Sequence, residues 1–363
     1  MEVGIVGLPY TGKSTLFRAF TGLEPDPGAG LRPNIGVARI PDPRLDTLVR
    51  LVETKKVVPA SLTVLDIPGL VRGSSEGAGM GNAFLSHIRD VDALIHVVRC
   101  FTKGPGGQDV AHVDGSLDPM RDIETIELEL ILADLQMVEN ALPRAEKAAR
   151  RRDAEAVARL SVLRKAMPIL ESGEPARSLA VGTEDERKAL KGLAMLSAQP
   201  VLYVANVDED DADGTGELAS SVRNHARNVQ SQFIPVCALI EAEIAELDES
   251  DRGEMIESLG LTEPALHKLA QAAYALLGLQ SFYTVGPKEI RAWTVPVGAT
   301  GPQAAGAIHT DFERGFIRVE VYSVAELDQF KTEKAIREAG KMRVEGKHYV
   351  VRDADVCHFL FNV

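Results

Sequence analysis

Eight residues near the N-terminus, Gly7-Leu8-Pro9-Tyr10-Thr11-Gly12-Lys13-Ser14, constrain this 363-residue chain more than any other stretch. They spell G-x-x-x-x-G-K-S. A short β-branched run at 3–6 precedes them, and residues 13–20 have helical character. Strand, glycine-bounded loop and helix in that order make a phosphate cradle. Gly7 and Gly12 let the backbone wrap so that successive N–H groups point inward at phosphate oxygens. The helix N-terminus adds positive partial charge. Lys13 suits the β- and γ-phosphates of a nucleoside triphosphate, and the Ser14 hydroxyl suits Mg²⁺. The expected nucleotide-binding set of the loop is Gly7, Tyr10, Thr11, Gly12, Lys13, Ser14 and Thr15. The competing reading is a chance match in a glycine-rich turn.

Two further elements follow at strand ends. Residues 61–65 form a β-rich run that ends in Asp66-Ile67-Pro68-Gly69. A carboxylate there can hold Mg²⁺, mostly through water, so Ser14 and Asp66 are the expected metal ligands. The Gly69 N–H can meet the γ-phosphate and move when that phosphate leaves. Leu70 stands next, at a position where Ras-like enzymes use Gln to orient water. Leucine cannot do that, so hydrolysis must use another group or be slow. The strand expected at 201–205 leads into Asn206-Val207-Asp208-Glu209. Guanine-specific proteins use N-K-x-D there, with the Asp taking two hydrogen bonds from guanine. N-x-x-E lacks the lysine and lengthens the acid, which makes adenine plausible. Asn206, Val207 and Glu209, with Cys237 and Ala238 after the strand at 233–236, are the expected base-side residues.

Composition sets the outer bounds. Forty basic residues stand against 53 acidic ones, a net charge of -13, which argues against a general nucleic-acid coat and against a DNA-binding role. No stretch of roughly 18 apolar residues suggests a membrane span. The N-terminal run has no basic flank and leads straight into the phosphate motif, so it reads as no signal peptide. Cys100, Cys237 and Cys357 are odd in number and far apart, which fits three reduced thiols in a cytoplasm.

The texture changes at about residue 118. Glycine and proline become scarce to 171, and Ile123, Ile126, Leu130, Leu132, Leu135 and Val138 recur at helical spacing. Pro143 is expected to interrupt a first helix, with a second running over 144–170. Eight basic residues, Arg144, Lys147, Arg150, Arg151, Arg152, Arg159, Arg164 and Lys165, face only Glu146, Asp153 and Glu155 in that span. This is either a solvated helix face or an arm for the phosphates of a large nucleic-acid partner. Helices are expected up to about 279. Beyond 280, short strands at 292–297, 316–322, 349–352 and 357–361 read as a separate small α+β domain.

With these motifs in view the chain resembles the YchF/Obg-like ATPase family, in the Obg-related branch of translation-factor-class P-loop proteins. The strings that carry it are GIVGLPYTGKSTLF at 4–17, PNIGVARIPDPRLD at 33–46, LDIPGLVRGSSEGAGMGNAFLSHIRDVDALIHVVRCF at 65–101, NVDED at 206–210, KEIRAWTVPVGATGPQAAGAIHTDFERGFIR at 288–318 and the closing EGKHYVVRDADVCHFLFNV. The resemblance implies an α/β P-loop domain over 1–117 and 193–279, an inserted α-helical hairpin over 118–192, and a C-terminal β-grasp (TGS) α+β domain over 280–363. It also implies preference for ATP over GTP, slow intrinsic hydrolysis with Mg²⁺, and association with the ribosome or ribosomal RNA. His112 is similar in position to a histidine suspected of catalysis in the family; a solvated loop histidine is the alternative. His96 reads as a packed structural residue.

Two residues depart from the family pattern. Tyr10 replaces an Asn that helps coordinate K⁺ in potassium-stimulated relatives. In the switch segment 27–34, Gly30 stands where a Thr would ligate Mg²⁺. The expected function is therefore a slow Mg²⁺-dependent ATPase that switches ribosome or translation-factor binding, with Lys13 stabilising transition-state charge. Two rivals stand beside it: a nucleotide-binding module with negligible turnover, and a GTP-specific GTPase.

Overall fold

The computed structural model describes residues 1–26, 28, 30, 32–69, 80–108, 110–113, 115–151 and 153–362, leaving aside the side chains of 80–83 and 249. Leu70, Arg152 and, in the switch segment, Pro27, Ala29 and Leu31 lie outside the described residues. The chain divides into two compact units, residues 1–36 with 63–268, and residues 37–62 with 269–363.

In chain order the strands are β1 (Glu2–Val6), β2 (Asn34–Arg39), β3 (Val57–Val58), β4 (Ser61–Asp66), β5 (Ala93–Cys100), β6 (Val201–Val207), β7 (Gln232–Val236), β8 (Leu279–Thr284), β9 (Ile290–Pro296), β10 (Phe316–Ser323), β11 (Arg343–Glu345) and β12 (Asp355–Phe361). The helices that matter here are α1 (Lys13–Thr21), α2 (Pro43–Leu51), α3 (Met80–Arg89), α4 (Pro119–Ala149), α5 (Ala154–Glu171), α6 (Glu184–Leu193), α7 (Glu217–Asn228), α8 (Ala238–Glu246), α9 (Glu249–Ser258), α10 (Ala265–Leu276) and α11 (Gly301–Ile308).

The first unit is built on a sheet of order β2-β4-β1-β5-β6-β7. The pairs β1–β4, β1–β5, β5–β6 and β6–β7 are parallel. β5 and β6 are buried along their whole length, because helices cover both faces and their residues read as near-continuous apolar runs. Parallel strands place all their C-terminal ends on one edge, which is where such sheets bind ligands. The phosphate loop, Asp66, Asn206 and Cys237 all stand at that edge.

α4 and α5 form the inserted hairpin. α4 begins behind Asp118, whose carboxylate accepts from the Met120 and Arg121 amides, with Pro119 in the first turn. Contrary to the expected break, α4 runs unbroken through Pro143 for 31 residues, ~46 Å at helical rise. Pro143 is exposed, so its ring and the carbonyl it leaves unpaired face solvent. The reversal comes instead after Ala149, and Asp153 caps α5 by accepting from the Ala156 amide at 3.0 Å. The hairpin has its own core, in which Val138, Val162, Leu163 and Ala166 are fully buried.

Two knots, the first half-buried and the second buried, fasten α4 to its surroundings. Tyr203 on β6 donates to Glu127 at 2.6 Å, Arg177 pairs with the same carboxylate, and His225 Nε2 lies 3.2 Å from the Tyr203 hydroxyl. Asp134 accepts from the amides of Leu196 and Ser197 at 2.8 and 2.7 Å and from the Ser197 hydroxyl at 2.6 Å.

The second unit is a mixed sheet of order β11-β10-β12-β8-β9-β3. β8 and β12 pair in parallel at its centre, with antiparallel β9 beside β8 and antiparallel β10 beside β12. α11 packs on this sheet over Phe282, Phe316, Val319 and Val321, the β-grasp arrangement. The expected strand at 349–352 reduces to a single bridge between Val350 and Thr300, while β8 and β11 were not foreseen. Residues 37–62 belong to this unit through the β3–β9 pairing and a hydrogen bond from Tyr283 to Asp42. Among the described residues no helix is long and apolar enough to cross a membrane.

Candidate functional site

The phosphate loop is held from within. Lys13 Nζ and Thr11 Oγ1 both donate to the Leu8 carbonyl, at 2.8 and 3.0 Å. That draws the loop around its own lysine. Gly12 adopts φ 87°, a left-handed conformation, and opens α1 with no side-chain cap. The amides at the start of the helix thus have no capping side chain and are left for an anion. At Gly7 a Cβ would lie 2.4 Å from the Val97 carbonyl, so only glycine fits the crossing of loop and sheet.

Lys13, Ser14, Asp66 and Gly69 converge. Ser14 Oγ donates to Asp66 Oδ2 at 3.1 Å. A Cβ on Gly69 would sit 3.1 Å from Lys13 Nζ, so the D-x-x-G turn lies directly against the loop lysine. Lys13 is 7% exposed and Asp66 6%. Burial pushes the Lys13 ammonium down to about 8, against the attraction of Asp66. Burial likewise raises Asp66, against the pull of Lys13, Ser14 and Asn34. Each charge thus lacks solvation that a bound phosphate or cation would replace.

Beside the loop lies a cavity of about 710 Å³. It is lined by Tyr10, Gly12 and Thr15 from the loop side and by Asn206, Val207, Glu209, Cys237 and Ala238 from the expected base side. Asn206, 5% exposed, ties the two sides together. Its Nδ2 donates to the Thr11 carbonyl at 2.9 Å, and its Oδ1 accepts from the Ala238 amide at 3.0 Å. Asn206 and Val207 end β6 rather than starting the loop, and Val207 is 2% exposed. Gly7, Thr11, Lys13, Ser14, Asp66 and Gly69 are not among the residues lining this cavity; Lys13, Ser14, Asp66 and Gly69 meet beside it.

The cavity wall formed by residues 101–107 was not anticipated. Asp208 builds it: its carboxylate accepts from the Thr102 amide and hydroxyl and the Lys103 amide at 2.9, 3.0 and 3.2 Å. Arg99, 3% exposed, donates to the carbonyls of Phe101, Val110 and Ala111 at 3.1, 2.9 and 2.9 Å, with its guanidinium over the Phe101 ring. An arginine inside an apolar strand and an aspartate just past the end of another were the available signals, but nothing in the sequence names their partners.

His112 does not line this cavity. Its side chain is buried against Asp122 on α4, with Nε2 2.9 Å from Oδ2. His96 is packed beside Tyr203, 3% exposed, and burial holds it down to about 4, so it is neutral. The three cysteines are free and buried. Among the described residues no three His, Cys, Asp or Glu side chains cluster to hold a metal.

Known proteins share this arrangement. Residues 2–136 match the family model described as 50S ribosome-binding GTPase, and residues 279–362 match the YchF-GTPase_C model, described as a protein of unknown function (DUF933). Two relatives, each named ribosome-binding ATPase YchF, come from Haemophilus ducreyi and Haemophilus influenzae. They are 49% and 48% identical to this chain, covering 100% of it and 99% of their own lengths. The solved structure of the Schizosaccharomyces pombe YchF GTPase is 33% identical, with a TM-score of 0.86, over 99% of this chain and 97% of that one.

Proposed function

Since the chain belongs to the YchF family, we propose that it is a slow Mg²⁺-dependent ATPase whose nucleotide state governs its binding to the ribosome. The observation that carries this reading is Asn206. One buried side chain fastens the phosphate loop, through Thr11, to the turn at Ala238, which supports a single frame holding both phosphates and base. In this proposal Gly7, Tyr10, Thr11, Gly12, Lys13, Ser14, Thr15 and Gly69 hold the phosphates and sugar. Asn206, Val207, Glu209, Cys237 and Ala238 surround the base. The proposed division of labour is 1–117 with 193–279 for nucleotide, 118–192 for the hairpin and 280–363 for the TGS part, although residues 37–62 and 269–279 pack within the second compact unit.

Ser14 and Asp66 suit Mg²⁺ because both offer oxygen and, among the described residues, Lys13 is the cation whose charge acts on the buried carboxylate. Bound there, Mg²⁺ would supply charge neutralisation at the β- and γ-phosphates. The chain's own part is to hold the triphosphate on loop amides and to place Lys13 against charge that grows as the γ-phosphoryl departs. Gly69, in contact range of Lys13, reports loss of that group. Water activation by His112 is part of the proposal and demands that its pair with Asp122 open.

Adenine is favoured over guanine because N-x-x-E offers Val207 in place of lysine and a longer acid at Glu209. The ribosome enters from the relatives' names and from the exposed basic side chains around the hairpin tip, Arg144, Lys147, Arg150, Arg151 and Arg159. The testing experiment titrates the whole chain with ATP and GTP at fixed Mg²⁺, with Lys13→Ala as control, and measures phosphate release with and without ribosomes. ATP binding lost in Lys13→Ala and phosphate release above the buffer rate support the reading. An ATP affinity tenfold below that for GTP, about 1.4 kcal/mol, overturns the base assignment.

A further inference from the structure

Tyr10 is the residue of the phosphate loop that the functional reading leaves least explained. It holds φ 65°, a left-handed backbone that side chains with a Cβ adopt at a cost and that Gly or Asn would accept more easily. The loop around it is over-determined: Leu8 takes hydrogen bonds from Thr11 and Lys13, and the Thr11 carbonyl is fixed by Asn206. So the strain cannot relax by moving the backbone. The ring gives the fold little in return, being 66% exposed. It lines the 710 Å³ cavity together with Gly12 and Thr15, and its exposure places the ring at the rim. A strained, exposed aromatic at the mouth of a ligand cavity is the pattern of a residue kept for contact with the ligand.

We propose that Tyr10 is a nucleotide-contacting residue whose ring closes over the sugar end of the triphosphate. This rests on the ATP-binding reading above and adds to it a group that distinguishes a nucleotide from bare polyphosphate. The cradle of amides and Lys13 takes phosphate groups whatever they are attached to. The ring gains its contact only when a sugar lies between the phosphates and the base.

Calorimetric titration of the whole chain tests this, using ATP and, separately, inorganic tripolyphosphate, each at the same Mg²⁺ concentration and in potassium-free buffer. Tyr10→Asn keeps a left-handed backbone without the ring, and Tyr10→Phe keeps the ring without the hydroxyl. Tyr10→Asn is expected to weaken ATP roughly fivefold or more while tripolyphosphate stays within about twofold. Tyr10→Phe stays close to the parent for both ligands. The melting temperature of ligand-free Tyr10→Asn does not fall, since strain is relieved and little area is lost. Unchanged ATP affinity in Tyr10→Asn overturns the proposal. So does an equal loss for tripolyphosphate, or a drop in ligand-free melting temperature that accounts for the weaker binding. If the parent chain binds no ATP, the functional reading fails and takes this one with it. If Lys13→Ala weakens ATP and Tyr10→Asn does not, only this inference fails.

Discussion

Replacing Asn206 with Ala removes two hydrogen bonds at once and leaves both partners in place. The Thr11 carbonyl loses its donor at 2.9 Å and the Ala238 amide its acceptor at 3.0 Å. The site is buried, with Asn206 at 5% exposure. An unpaired buried polar group costs about 1–3 kcal/mol, and two cost about 2–6 if no water enters. The gap left by the side chain admits some water, so the expected loss is near the lower half, about 3 kcal/mol. That lowers the folded-to-unfolded ratio about 100-fold. Urea unfolding followed by circular dichroism reads it as a lower midpoint with unchanged slope. Binding should suffer separately. With Thr11 released, the loop amides are no longer preorganised, and ATP affinity should fall about tenfold, or about 1.4 kcal/mol. Asn206→Asp sharpens the test: it keeps an acceptor for Ala238 but sets an oxygen against the Thr11 carbonyl, so binding should fall at least as far as in the alanine variant. A stability loss below about 1 kcal/mol with parental ATP affinity in both variants would refute the reasoning that Asn206 joins the two halves of the site.

His96 stays neutral when folded until about pH 4, whereas unfolded histidine takes its proton near 6.5; stability therefore drains as pH falls between those values, by about 2–3 kcal/mol at the acid end, and His96→Phe should show a shallower acid limb in urea midpoints taken at about pH 7 and about pH 4.5. Asp208→Ala frees the Thr102 and Lys103 amides, so hydrogen exchange at both should speed up and ATP should bind more weakly while tripolyphosphate does not; protection equal to the parent's would show that the wall stands without Asp208. Reversing Arg150 and Arg151 to Glu should weaken ribosome binding and flatten its dependence on salt, the log–log slope falling by roughly one for each phosphate these arginines neutralise; identical salt slopes would assign the side chains to plain solvation.

The phosphate loop was legible because its backbone demands particular residues. Gly7 has a carbonyl where a Cβ would go, and Gly12 needs a left-handed φ, so spacing alone exposes the geometry. Asp66 and Asn206 were legible because they sit at ends of strands with strong apolar patterns. Asp208 and Arg99 were not, because their work lies in partners far along the chain or on irregular backbone: Thr102 is 106 residues from Asp208. Pro143 misled because a proline strains or kinks a helix without always ending it, and here the carbonyl it leaves unpaired lies on an exposed face where water can bond it. β3 was illegible at two residues long, and its only reason to be a strand is β9 beside it.

The knots at Glu127 and Asp134 make α4 a pointer fixed to the nucleotide sheet. They lie about seven residues apart, ~10 Å along the helix, and the end of α4 at Ala149 projects ~22 Å past the second. A sideways difference of ~1 Å between the two fastenings therefore swings the far end by ~2 Å. Tyr203, which grips the first, sits three positions before Asn206 on the same fully buried strand. A displacement of that strand beside Asn206 would be enlarged at the hairpin end, where Arg150 and Arg151 stand.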